Sequence, residues 1–489
     1  MEVTQARQSG FRRAAAPALL AALLLAAVDA SLPAQAPNPS SANNPFWGSI
    51  TAGPATADTL KLSLDDAIGL GLKNNLGLRE AQIAESSLQG QKKQALQEFL
   101  PTIRLTGDTG FYQHNLAALG FGPGTLAKFA AGFPGGLPSG ISFITKDDLT
   151  QGQLHFNQTL FSGPVISAWR AVGAAEKSAY FAKMTARGEV IQQVASAYLH
   201  AIAASSEVDN AQALLSADQV ALDHVHSAHE AGVAANLDEL RARVQFQAQQ
   251  QALIAAQNAL EKDLILLKRE IGLDPGQQIA LTDPAPYSEL AVQTPEDLRA
   301  TAYKSRQDYQ NMQNQLIELR VVQQAYRAQR LPTLSFGGYY GVSTVNGAGT
   351  HGNFVAMGTL KLPLFREARI RGDVEVAQAN LDAISAQLAD LRNRIDQQIR
   401  SALLDVQAST RLVEVARSNM ELVTRALADE TDRVNAGVDD NLPLVTAQAA
   451  LASAQSNLVE TLYQYNLSKL VLARSAGVIE TQYREYLGR

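Results

Sequence analysis

Ala231-Gly232-Val233-Ala234-Ala235-Asn236-Leu237 returns 205 residues later as Ala436-Gly437-Val438-Asp439-Asp440-Asn441-Leu442. In each copy a long periodic segment runs up to the glycine and a second one follows the asparagine, so the heptapeptide reads as a tight turn between two helices. Gly232 and Gly437 stop the first helix in the left-handed conformation that a residue without Cβ adopts cheaply. Asn236 and Asn441 offer side chains to start the second. Before the first turn, Val190, Val194, Ala197, Ala201, Ala204, Val208, Ala211 and Leu215 are spaced 4-3-4-3-4-3-4. Ile395, Ile399, Ala402, Val406, Ser409, Val413, Ala416 and Met420 repeat that spacing before the second. A period of 3.5 held this long predicts coiled-coil packing. After each turn the chain runs back to Gly272 or Gly477, closing an antiparallel helical hairpin at about 165–271 and again at about 369–476.

Further toward the N-terminus the duplication continues. Ser63-Leu64-Asp65-Asp66 returns as Thr294-Pro295-Glu296-Asp297, and Leu100-Pro101-Thr102 as Leu331-Pro332-Thr333, both 231 residues apart. Ser63 with Asp66 and Thr294 with Pro295 open helices, which are expected to run unbroken to Phe99 and Arg330, where the prolines disfavour helix. Beyond each proline the period changes to two. Leu334, Phe336, Gly338, Tyr340 and Val342 alternate with small or polar residues, Asn346-Gly347 marks a turn, and Phe354, Ala356, Gly358, Leu360, Leu362 and Leu364 share one face of a return strand. These spacings predict β-hairpins at about 333–365 and 102–161, the latter carrying a Gly/Pro-rich insertion at 120–140. Two repeats follow, 61–290 and 291–489. Phe161, Trp169, Tyr339, Tyr340 and Phe365 sit near strand ends, where aromatic girdles form at membrane surfaces.

Composition narrows the function classes. Charged residues are 18% and the formal charge is −6, with no basic footprint for nucleic acid. Arg7, Arg12 and Arg13, the apolar stretch Ala14 to Val28 and Ala34-Gln35-Ala36 read as a secretory signal peptide over 1–36, with cleavage after Ala30 or Ala36. Its loss removes three arginines, Glu2 and Asp29 and shifts the charge to −7. Residues 37–60 read as a flexible linker, with Phe46 and Trp47 either free or docked onto the body. There are no cysteines, so an exported chain must be held by packing or assembly. No later run is apolar enough for a membrane helix, leaving a membrane role to the strands. Four strands cannot close a barrel and the helical hairpins are too slender to fold alone; both problems vanish if several chains pool their elements.

With that element order, the Leu-Pro junctions and the paired turns at 231–237 and 436–442, the chain resembles the TolC-family outer-membrane efflux proteins over about 61–480. The resemblance implies a mainly α fold with a small β part: a homotrimer sharing a transmembrane β-barrel and a long antiparallel coiled-coil α-barrel. It implies an outer-membrane location in a diderm bacterium with a large periplasmic extension. It further implies a passive exit duct for a tripartite efflux or type I secretion system, served by a periplasmic membrane-fusion adaptor and an inner-membrane pump of RND, ABC or MFS type. Gly232, Val233, Asn236, Gly437, Val438 and Asn441 would then form the adaptor-docking turns. Asp238 matches a position where gated members place an aspartate; in the second copy the matching positions are Pro443 and Thr446, and Asp439 and Asp440 offer negative charge nearby. The rival reading is a non-channel periplasmic or surface coiled-coil protein. On a helix His226 and His229 share a face while His224 points away, which fits a solvated, pH-sensitive helix end better than a metal site. No phosphate loop, HExxH, nucleophile elbow or dinucleotide fingerprint is present, so no cofactor and no catalysis are expected.

Overall fold

The computed structural model describes residues 44–115, 118, 120, 128, 144–232, 235–284, 287–291, 293–436 and 441–488, the side chains of Asn435, Asn441 and Leu442 excepted. The expected signal peptide 1–36, the start of the expected linker and nearly all of the 120–140 insertion lie outside the described residues.

In the first half, β1 (Leu60–Leu62) leads into α1 (Leu64–Asn74) and α2 (Leu76–Gln97), then β2 (Thr102–Asn115) and β3 (Ile144–Ser162), then α3 (Gly163–Glu230) and α4 (Asn236–Ile271). After β4 (Ile279–Leu281) the order recurs as α5 (Pro295–Ser305), α6 (Gln307–Ala328), β5 (Thr333–Val345), β6 (Thr350–Lys361), α7 (Glu367–Asn435) and α8 (Asn441–Ser475), with α9 (Ile479–Leu487) at the end. Strands β2-β3-β5-β6 form one antiparallel sheet in that order, and β1 pairs with β4 in a separate parallel ribbon. The 68 residues of α3 span about 100 Å at 1.5 Å per residue.

Both expected helix starts are present. Ser63 Oγ accepts from the Asp66 amide at 3.1 Å while Asp66 returns the bond to the Ser63 amide at 3.3 Å, and Thr294 Oγ1 accepts from the Asp297 amide at 3.2 Å. The helices expected to run on to Phe99 and Arg330 are instead each broken. Asn75 turns extended (ψ 132°) and its side chain accepts from the Leu78 amide, starting α2 afresh. Asn and Asp compete with helical backbone bonds in this way. Arg306 (ψ 119°) makes the matching break, and its guanidinium donates to Asp308 at 2.7 Å and to the Ser475 carbonyl at 3.2 Å. Into each break fits the end of a returning helix. Gly272 (φ +78°) would place a Cβ 2.7 Å from Asn74, and Gly477 (φ +76°) would place one 2.7 Å from the Arg306 amide. These glycines therefore serve close approach as well as capping.

The heptad stripe of α7 is buried from Ile395 through Ala416, with Met420 half-buried, and continues upward through Leu391, Leu388 and Leu381. On α3 the buried set widens to Val190, Ile191, Val194, Ala195, Tyr198, Leu199, Ala201 and Ile202, because this helix is packed on two sides, by α4 and by α1 and α8. Tyr198 donates to the Leu62 carbonyl at 2.8 Å and to Asp283 at 2.9 Å, tying α3 to the β1–β4 ribbon. Phe46 packs against the cluster, touching Gly77. Lys469, fully buried on α8, donates to the Ser288 carbonyl at 3.1 Å beneath the Tyr465 ring, and burial pushes its pKa down to about 8.

Glu270 is another buried ionisable group of this waist. Only Gln193 reaches its carboxyl, at 3.1 Å, and burial pushes its pKa up to about 7 from an ordinary 4.5. The folded state thus favours the protonated form. Its contribution is complete below pH 4.5 and is lost as pH rises to 7, on the order of 3 kcal/mol across the window. Glu270→Gln is expected to flatten this fall, giving a variant more stable than the parent at pH 8 and equal to it at pH 4. The temperature at which helical circular dichroism is lost, followed from pH 4 to 8, checks both ends.

Candidate channel-forming surfaces

The four-stranded sheet has two chemically different faces. Cα partners across an antiparallel ladder share a face. Through the registers Leu105↔Leu154, Leu154↔Tyr340 and Tyr340↔Phe354, one face collects Ile103, Leu105, Leu154, Phe156, Phe336, Tyr340, Phe354 and Leu360. The other collects Arg104, Thr106, Asp108, Gln151, Gln153, His155, Tyr339, Ser343 and Asn353. The polar face is internally bonded: Gln151 donates to Asp108 at 2.5 Å, Gln153 to Gln151 at 3.0 Å, His155 meets Thr106 at 3.1 Å and Asn353 donates to Ser343 at 3.3 Å.

Exposure is inverted relative to a soluble sheet. Leu105 is 77% and Phe354 70% exposed, whereas Gln153 is only 9% exposed. A soluble sheet with one buried side would show the opposite. The outer edges of β2 and β6 have no partner strand among the described residues. Asn346 (φ +50°) and Gly347 (φ +68°) form the β5–β6 turn as expected, while Leu362 and Leu364 fall beyond the end of β6. Of the expected aromatic positions, Phe161 follows a register shift at the foot of β3, Trp169 stands edge-on to Phe99 at 6.5 Å, and Phe365 is fully exposed.

At the far end of the first helical hairpin, Gly232 has φ +74° one residue past the C-cap Ala231, as expected for a helix stop. Asn236, expected to cap α4, is instead its first residue; the cap position is Ala235, without a side-chain bond. Asp238 lies in the first turn, paired to Arg241 at 3.3 Å. Val233, Gly437, Val438, Asp439 and Asp440 lie outside the described residues, and Asn441 opens α8. The residue that organises this end is one the sequence reading passed over. Glu239, with an 11% exposed side chain, receives Arg243 at 2.8 Å and faces His226 at 3.2 Å and His229 at 3.9 Å. Its signal was faint: an acid in the first turn of a helix whose partner histidines sit on one face of the preceding one. No group of three or more His, Asp or Glu among the described residues could hold a metal ion.

Among the described residues this arrangement offers a sheet with one apolar and one polar face and a long helical extension. The model of the family described as outer membrane efflux protein matches residues 67–273 and 298–478. The chain belongs to the outer membrane efflux protein family. Outer membrane protein TolC of Escherichia coli (strain K12) is 23% identical over 353 residues, covering 68% of this chain and 70% of TolC. Solved structures with the same fold include a membrane protein from Pseudomonas aeruginosa (TM-score 0.70, 19% identity, 85% of this chain and 93% of that one). VceC of Vibrio cholerae (TM-score 0.66, 17% identity, 85% and 96%) and the open state of the Neisseria gonorrhoeae MtrE channel (TM-score 0.67, 16% identity, 88% and 96%) share it too. As a TolC-like outer membrane efflux protein, the chain is a transport protein of the outer membrane and not an enzyme. Among the described residues no helix is long and apolar enough to cross a membrane.

Gly232→Val is expected to cost about 1–2 kcal/mol at the turn, the strain of a side chain in the left-handed region. Hydrogen exchange of amides in the last turn of α3 and the first turn of α4 should then speed by roughly 5- to 30-fold, with the strands unchanged.

Proposed function

We propose that three copies of this chain form an exit duct, pooling their strands into one barrel and their helices into one tube, which passively conducts substrates delivered by a periplasmic adaptor and an inner-membrane pump. The observation that carries this reading is the inverted sheet with two open edges. In hydrocarbon each unpaired backbone group costs several kcal/mol, so the edge of β6 must meet the β2 edge of another copy. Two copies would supply eight strands, and a barrel of about eight has its interior filled by side chains. Three supply twelve and leave a lumen, lined by the polar face from Arg104 to Asn353. Helices α3 and α7 of each copy then continue the wall for about 100 Å, with α4 and α8 alongside for about 50 Å of it.

The tips supply the entrance. Loosening of the Glu239 contacts to His226 and His229 would let α3 and α4 part, the iris-like opening of this reading. Gly232, Val233, Asn236, Gly437, Val438 and Asn441 present the turns to the adaptor, and Asp238, Asp439 and Asp440 give the entrance its negative charge. Replacing those three aspartates with asparagine is expected to lower cation preference and relieve divalent-cation block in single-channel recordings; unchanged conductance and block would remove the acidic entrance from the proposal.

The duct itself is tested on the sheet. Leu105→Arg and Phe354→Arg on the apolar face should each destabilise the inserted protein by about 2–4 kcal/mol, as cations at mid-bilayer do. Thr106→Arg on the polar face should be tolerated and alter only conductance. Heat-modifiable gel migration after reconstitution reads the difference. Equal tolerance of all three, in a protein that stays monomeric, would favour the non-channel coiled-coil alternative.

A further inference from the structure

The two strand-to-helix junctions differ in charge. From Arg327 to Asp373 the chain carries six cations, Arg327, Arg330, Lys361, Arg366, Arg369 and Arg371, against Glu367 and Asp373. No charged residue lies between Arg330 and Lys361, so the cations gather at the foot of β5 and β6. At the repeat offsets of 231 and 205, the first half has Leu96 and Phe99 in place of Arg327 and Arg330, and Phe161, Pro164 and Ile166 in place of Arg366, Arg369 and Arg371. The basic patch therefore belongs to the second junction alone.

Glu367 holds two of the cations, accepting from Arg330 at 2.8 Å and from Arg371 at 2.9 Å, and these partners keep its carboxyl ionised, near pKa 2. Arg369 reaches Asp373 only at 4.0 Å, and Arg327, Lys361 and Arg366 have no ion pair among the described residues. Beside them stand apolar side chains in the open. Leu331, Leu362 and Leu364 are exposed and Phe365 is fully so. They lie just outside the sheet, close in sequence to the paired Leu334 and Leu360 of its apolar face.

We infer that the β6–α7 junction is a binding surface for anionic glycerophospholipid of the leaflet at the helical side of the barrel. Arg327, Arg366 and Arg369 meet the phosphodiester, while Leu362, Leu364 and Phe365 lie against the acyl chains. This rests on the membrane-inserted reading of the sheet. Guanidinium groups match phosphate oxygens in geometry and charge, and cations beside an anionic leaflet attract it. A neighbouring copy is the other candidate occupant. The junction that would face it, at Leu96 to Pro101, offers a single acid, Glu98, against the net positive patch.

The purified oligomer, offered equal amounts of dioleoyl-phosphatidylglycerol and dioleoyl-phosphatidylcholine, should retain the anionic lipid preferentially by native mass spectrometry. The combined Arg327→Gln, Arg366→Gln and Arg369→Gln variant should lose about fivefold of that preference per charge removed. In a second variant, Phe365→Trp, the new indole should be quenched by brominated phosphatidylglycerol in vesicles. Equal retention of the two lipids, an unchanged preference in the triple variant, or an indole shielded from the bromine by a neighbouring copy would each overturn the inference. Conductance separates the two readings. A parent protein that conducts in bilayers yet shows no lipid preference defeats only the junction site, whereas one that never inserts defeats the duct.

Discussion

The constraint on which the rest depends is that a β-strand edge has no solvent in hydrocarbon. The described residues form one four-stranded sheet whose apolar face is exposed, with β2 and β6 ending it. A sheet so built is unfinished by itself, since its edge amides and carbonyls need partners and its exposed leucines and phenylalanines need a nonaqueous neighbour. The same incompleteness extends to the helices. A pair of rods about 100 Å long with a narrow seam has too little interior to be a stable domain. In the proposed duct, strand and helix requirements are met together by association of copies, which makes the barrel and the tube two halves of one solution.

What fixes the orientation of these parts is the waist. There α1, α2, α5 and α6 lie against the long helices, and the β1–β4 ribbon is pinned to α3 through Tyr198 and Asp283. Buried ionisable groups collect at this level, among them Glu270 and Lys469, and burial shifts each toward its neutral form. Such groups cost stability relative to apolar replacements unless paired. Here each one also binds a connecting segment: the Glu270 carbonyl accepts from Ser49, and Lys469 and Tyr465 both hold the Ser288 carbonyl.

Much of this was legible in the residues. The stripe from Ile395 to Ala416 is buried, Ser63 and Thr294 cap their helices, Gly232 stops α3, and Asn346-Gly347 makes its turn. Legibility failed where a single side chain overrides a pattern. Nothing in the periodicity of 63–99 or 294–330 foretells the breaks at Asn75 and Arg306, because each is set by contacts to sequence-distant chain, Phe46 for the first and Ser475 for the second. Alternation in β5 and β6 gave the two faces but not which one is sheltered; that depends on the register that brings Gln153, Gln151 and Asp108 together. Glu239 was hard to read because its histidine partners arrive across a turn from another helix.

The seating of Gly272 against Asn74, and of Gly477 against Arg306, gives the returning helices a fulcrum. Helix α4 has 36 residues, so its free end lies about 54 Å from that seat. A tilt of about 5° there sweeps the turn through about 5 Å, the width of a side chain, without breaking a backbone bond along the helix. In the proposed duct, leverage of this kind would let small rearrangements at the pivot set the bore at the distant mouth, with the two glycines as bearings as well as ends of helices.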